Sequence, residues 1–211
     1  MKLHTILGSA CVALSLFSSG AAHATPAAKP GLTAPLSAPV TAKKLAIVTQ
    51  KVRALAAAGR TPVAVFDIDD TLLHNGRFTP KPLVNTAEPG AVSYVKSLRA
   101  AGATIVYLTG RKASQETKTV AALKEAGLPT GGTTKLMLNP SSKMSSVDWK
   151  RSATPAIAKL GKTVAVFDNE FENVRMFRLA YPRSSIFRLA TSSNRPDPGG
   201  KGSIYVIKDF L

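Results

Sequence analysis

The chain holds one cysteine, Cys11, and it lies within the first two dozen residues. No disulfide can therefore staple the fold, which must rest on a packed core. Aromatic residues make up only 6% of the chain, and no run of them interleaves with the basic residues. That argues against a platform on which single-stranded nucleic acid would stack. Acidic residues are also scarce, 12 Asp and Glu against 28 Lys and Arg, for a formal charge of +16. Such a field attracts anions, whether phosphoesters, nucleic acid or an anionic cell envelope, without choosing among them. The one apolar run near the start, residues 11–17, is too short to span a bilayer. There is no internal repeat.

That short run belongs to a three-part pattern. Lys2 precedes it and Ala22-His23-Ala24 follows, as in a secretory signal peptide cleaved after Ala24. Residues 25–40 then shift to Pro, Ala, Ser and Thr, with Pro26, Pro30, Pro35 and Pro39, the composition of a linker. Residues 41–211 have the length of one domain with a real core. The expected organisation is a leader over 1–24, a linker over 25–40 and a domain over 41–211, in a protein that is secreted or periplasmic.

Within the domain, apolar strands alternate with amphipathic helices. Thr41 can cap a helix carrying Leu45, Val48, Val52 and Leu55, with Gly59 as its stop. Further helices are expected over 88–101, 114–126, 152–160 and 170–180. Strands are expected over 63–66, 104–108, 135–138, 163–167, 185–189 and 203–207, with a Pro/Gly loop over 194–200. The segment between Leu72 and Glu88, with Gly76, Pro80 and Pro82, is too short and broken for a domain and reads as a small cap insert. This alternation predicts an α/β fold with a doubly wound parallel sheet.

The first strand empties into Asp67, Asp69, Asp70 and Thr71. A calcium loop of the EF-hand kind would need Asp or Asn, then Gly, where Thr71 and Leu72 stand. A plain acidic turn is the duller reading, but two other strands also end on polar groups: one on Thr109, one on Asp168 with Glu172 four residues on. In a parallel sheet these ends lie on one edge, where open α/β sheets bind ligands. Asp67, Asp69 and Asp168 together are hard oxygen donors, which favour Mg²⁺ over zinc.

The ordered set D-x-D-x-T at residues 67–71, Thr109 after the second strand, a lysine on the third connection and D-N-x-x-E-N at 168–173 resembles the haloacid dehalogenase-like superfamily. With the leader and the small insert, it most resembles that superfamily's secreted acid-phosphatase branch. For the lysine, Lys135, Lys143, Lys150 and Lys162 lie in range, and Lys150, eighteen residues before Asp168 and just ahead of an expected helix, matches the motif best. The resemblance implies a Mg²⁺-dependent hydrolase of phosphomonoesters, nucleotides included. Asp67 would be the nucleophile that forms an aspartyl-phosphate, and Asp69 the general acid and base. Thr109, Gly110, Arg111 and Lys150 would bind the phosphoryl group, and Asp67, Asp69, Asp168 and Glu172 would hold the metal. Glu172 stands where the superfamily more often has Asp. A phosphotransferase would share all these residues, and a non-catalytic basic binder of polyanions or the envelope could use the same fold. His74 reads as an insert residue near the mouth, and Trp149 as core or rim packing.

Overall fold

The computed structural model describes residues 34–75, 85–190 and 204–211. The leader, most of the linker, the middle of the insert and the 194–200 loop lie outside the described residues.

In chain order the elements are α1 (Ala38–Ala57), β1 (Pro62–Phe66), α2 (Ala91–Ala100), β2 (Thr104–Lys112), α3 (Glu116–Glu125), β3 (Thr134–Asn139), α4 (Ser146–Leu160), β4 (Lys162–Asp168), α5 (Phe171–Ala180), β5 (Ser185–Leu189) and β6 (Ile204–Ile207). The strands form one six-stranded sheet in the order β3-β2-β1-β4-β5-β6, with every neighbouring pair parallel. The chain winds outward from β1 in one direction and resumes from β4 in the other. The crevice between β1 and β4 is thus the topological switch point, where such sheets place their chemistry.

Successive side chains of a strand point to opposite faces, and both faces of this sheet are covered. Ala64 and Phe66 face a core with Leu45, Val48 and Val52 of α1 and Tyr94, Val95 and Leu98 of α2. Val63 and Val65 face a second core with Ala153 and Ile157 of α4 and Val174 and Phe177 of α5. On the first face a row of rings crosses the sheet in register. Phe66 stacks on Phe167 and Phe167 on Phe187, each at 4.6 Å, and Tyr205 follows at 5.3 Å. Stacked rings on paired residues resist a register slip, which would turn every side chain to the other face. Because Phe66 pairs with Phe167, Asp67 and Asp168 come out side by side, tied by the Asp67 N–H donating to the Phe167 carbonyl at 2.9 Å.

Three boundaries differ from expectation for physical reasons. Helix α1 begins at Ala38, inside the stretch read as linker: Pro39 sits in its first turn, where no N–H is needed, and Thr41 is buried instead of capping. Helix α2 starts at Ala91, not near Glu88, and Val92 is only half-buried. Helix α4 begins at Ser146, six residues early, because Ser145 Oγ accepts the Asp148 N–H at 3.1 Å. Pro155 inside that helix leaves the Arg151 carbonyl without its usual donor, and the Thr154 hydroxyl supplies one at 2.9 Å. Lys150 is therefore a residue of the helix itself, not of a loop ahead of it.

Candidate active site

Lys150 projects from the second turn of α4 into the switch point. Its Nζ donates to Asp67 Oδ1 at 2.8 Å and to Asp168 Oδ2 at 2.7 Å, and the lysine is 1% exposed. A lysine is almost never so buried unless paired. Asp168 Oδ1 accepts the Glu170 N–H at 2.9 Å and Asn173 Nδ2 at 3.0 Å, so the whole carboxylate is held. Asp67 Oδ2 meets only the Thr71 hydroxyl, at a long 3.4 Å.

Two carboxylates thus share one ammonium away from water, and both shifts in ionisation follow from that. Burial works to lower the Lys150 ammonium, but Asp168 and Asp67 outweigh it and hold it above its ordinary value. The Asp67 carboxyl is pushed up to about 7, first by burial, against Lys150 and with help from Asp168 and Asp69.

Asp69 is engaged elsewhere. Arg111 grips it in a two-pronged pair, Nε to Oδ2 at 2.9 Å and Nη2 to Oδ1 at 2.7 Å. Strand β2 runs past the expected end at Leu108 as far as Lys112, with its pairing to β3 broken between Leu108 and Lys112. Thr109 lies in that break, fully buried. Its hydroxyl accepts the Arg111 N–H at 3.1 Å and its carbonyl accepts Trp149 Nε1 at 3.0 Å. Gly110 faces the start of α4, where a Cβ would come within 3.0 Å of Ser146 Oγ. The β1–β2 register aligns Tyr107 with Phe66, which brings Thr109 and Gly110 alongside the loop after Asp67.

The structure therefore gathers Asp67, Asp69, Asp168, Lys150, Thr109, Gly110 and Arg111 on one edge. It does not bring Glu172 to them: that side chain is 69% exposed and its nearest cation is Arg175 at 3.8 Å. In the first turn of α5 the helix phase turns Asn173 inward and Glu172 outward, so Asn173 is the residue that holds Asp168. The signal for Asn173 was its place in the D-N-x-x-E-N run. Trp149 also does more than pack, since its indole fixes the carbonyl of the threonine in the phosphate loop. Lys135, Lys143 and Lys162 make no printed contact with the acids, and Lys143 and Lys162 are exposed.

A parallel sheet in this order, with an acid pair and a buried lysine at its switch point, is of the haloacid dehalogenase-like type. The description "PITM 1-3, LNS2 domain" matches residues 64–169, half of the chain, and the chain belongs to that family. No curated protein matches it. Among solved structures, a chain of the Pnkp1/Rnl/Hen1 RNA repair complex superposes with TM-score 0.51 at 17% identity, over 66% of this chain and 44% of that one. The class C acid phosphatase from Bacillus anthracis with tungstate bound is similar at 21% identity and TM-score 0.47, over 64% of this chain and 63% of that one. An uncharacterized protein from Listeria monocytogenes serotype 4b is similar at 16% identity and TM-score 0.48, over 71% of this chain and 92% of that one. At these identities the likeness is one of fold. The chain spans less than two thirds of the length of the acid phosphatase and of the RNA repair chain.

Proposed function

We propose that the protein is a Mg²⁺-dependent phosphomonoester hydrolase that works through Asp67. The observation that carries this reading is Lys150 wedged between Asp67 and Asp168. A fold seldom buries two acids and a lysine at a ligand-binding edge unless the chemistry uses them.

In this reading the Asp67 carboxylate attacks phosphorus, the ester P–O bond breaks, and Asp69 gives the leaving oxygen a proton. Water then attacks the aspartyl-phosphate, Asp69 takes its proton, and phosphate leaves with Asp67 restored. Lys150, the Thr109 hydroxyl and the amides around Gly110 face charge that persists on the phosphoryl oxygens throughout. Arg111 neutralises Asp69 in the structure. A phosphate offers a guanidinium the same two-pronged geometry as a carboxylate, so substrate binding would draw Arg111 off Asp69 and free it to carry a proton.

The residues suit a hard divalent cation. Arg111 is taken up by Asp69 and Lys150 is shared between two carboxylates, which leaves one negative charge of the set uncompensated. Among the described residues no three His, Cys, Asp or Glu side chains are grouped as a ready metal site, in keeping with Lys150 and Arg111 engaging the acids. Asp67, the Asp69 carbonyl and Asp168 would hold Mg²⁺, which would supply charge neutralisation at the phosphoryl oxygens. Glu172 does not join that set as the structure stands.

We carry forward the leader over 1–24, the linker up to the start of α1 and a secreted or periplasmic location as part of the same proposal. Among the described residues no helix is long and apolar enough to cross a membrane. The test is phosphate release by the purified protein from a panel of phosphoesters, with Mg²⁺ and with EDTA. Release that depends on Mg²⁺ supports the reading. No release from any ester, with the polyanions heparin or nucleic acid binding tightly instead, would leave the basic binder as the better account.

A further inference from the structure

Beyond the acids at the switch point lies a second charged pair that the proposed chemistry does not use. After Asp67 the chain turns tightly: the amides of Thr71, Leu72 and Leu73 all converge on the Ile68 carbonyl. Asp70, next to the proposed general acid, sits at φ 53, a left-handed conformation unusual for a residue with a Cβ. Such a conformation costs about 1–3 kcal/mol and persists only when its surroundings over-determine it. Here the Asp70 N–H donates to the Leu73 carbonyl at 2.7 Å and its carboxylate accepts the Asn75 N–H at 3.1 Å.

The returning chain ties this loop down. His74 N–H donates to the Thr86 carbonyl, Asn85 N–H to the His74 carbonyl and Glu88 N–H to the Leu72 carbonyl, at 3.0, 2.8 and 2.9 Å. Across this short antiparallel stem His74 Nδ1 meets Glu88 Oε1 at 2.9 Å, with the Glu88 side chain only 7% exposed. The groups facing Glu88 are otherwise unfavourable: Asp70 from the loop and Asp209 from the C-terminal segment are both acids. Lys96 of α2 lines the same shallow cleft at the surface. Burial raises the Glu88 carboxyl, His74 opposes that rise, and Asp70 and Asp209 add to it.

We propose that the His74–Glu88 pair positions the loop bearing Asp67 and Asp69, and that protonation of His74 tightens it, so that turnover is favoured by acid. Histidine is the side chain that ordinarily gains its charge between pH 5 and 8. With the imidazolium formed, the buried carboxylate has a full countercharge. As pH rises and that charge is lost, Glu88 faces Asp70 and Asp209 with only a neutral hydrogen bond, and the stem loosens beneath the strained Asp70. His74 and Glu88 touch no reacting atom; they are positioning residues.

This inference rests on the phosphatase reading for its effect on rate, but the stem can be followed without turnover. Two readouts are compared in wild type, Glu88→Gln and His74→Gln between pH 5.5 and 8: kcat/KM for a phosphomonoester, and hydrogen-exchange protection of the Asn85 and Glu88 amides corrected for chemical exchange. In wild type both should fall about tenfold as pH rises, as expected for an interaction worth about 1.4 kcal/mol. Glu88→Gln keeps an acceptor for His74 without a buried charge, so its protection and the alkaline limb of its rate should flatten. His74→Gln should show the low, alkaline-like values throughout. Equal slopes in wild type and Glu88→Gln overturn the proposal. If no variant releases phosphate, the phosphatase reading fails and the exchange data alone decide whether the pair clamps the loop.

Discussion

Replacing Lys150 with Met tests the centre of the structure most severely. Met fills similar space and removes the charge, so Asp67 and Asp168, 6% and 1% exposed, lose the one ammonium they share. Removing one partner of a buried ion pair costs about 3–5 kcal/mol, because the other charge stays buried without compensation. Here two acids are left, although Asp168 keeps its bonds from Glu170 and Asn173, so the middle of that range is the fair expectation. For a domain of about 150–250 residues each kcal/mol moves the midpoint by about 2–4 °C, giving a fall of about 8–16 °C in thermal melts without divalent cation. Millimolar Mg²⁺ should recover part of the loss in the variant and raise the wild type less, since the variant offers the ion two uncompensated carboxylates. Adding Asp168→Asn should also recover part of it, by removing one of the stranded charges. Turnover should fall by about a thousandfold or more, the scale seen when a preorganised charge at a phosphoryl or oxyanion site is lost. A melt within about 1 kcal/mol of wild type would refute the reasoning, since the lysine would then not be what makes this acid pair tolerable.

Asp67→Asn should keep the fold and melt no lower than wild type, because it removes a buried charge, while phosphate release drops below a few per cent of wild type, roughly the bar for losing a nucleophile. Asp69→Asn should slow alkyl phosphates far more than aryl phosphates, whose leaving groups need little protonation; equal losses on both would assign Asp69 to positioning. With 28 Lys and Arg against 12 Asp and Glu, kcat/KM should fall with rising ionic strength, more steeply for nucleoside diphosphates than for sugar monophosphates, and a salt-independent rate would show that the charge does not steer substrate. Gly161→Ala should destabilise by about 2 kcal/mol or more in denaturant melts, because at φ 148 a Cβ would lie 2.2 Å from the Thr61 carbonyl oxygen at the entry to β4.

Periodicity and punctuation in the chain were enough to order the strands and helices along it. Runs such as residues 63–66 and 163–167 are apolar at every position, which only a strand covered on both faces requires, and Ser185–Leu189 falls where the pattern put it. The acids after β1 and β4, Thr109 and Lys150 were legible because each stands at the end of such a run or at motif spacing. Helix starts were less so, since a cap is a local hydrogen bond: Ser145 and Asp148 set the start of α4, and Pro155 is tolerated only because Thr154 lends its hydroxyl. What the linear pattern could not decide was partnership. Arg111 closing on Asp69, Glu172 turned to solvent while Asn173 holds Asp168, and His74 reaching Glu88 depend on strand register, helix phase and the path of a returning chain. Those are properties of where backbones end up in space. A residue's type sets which bonds it can make, and only the packed fold sets which of them it makes.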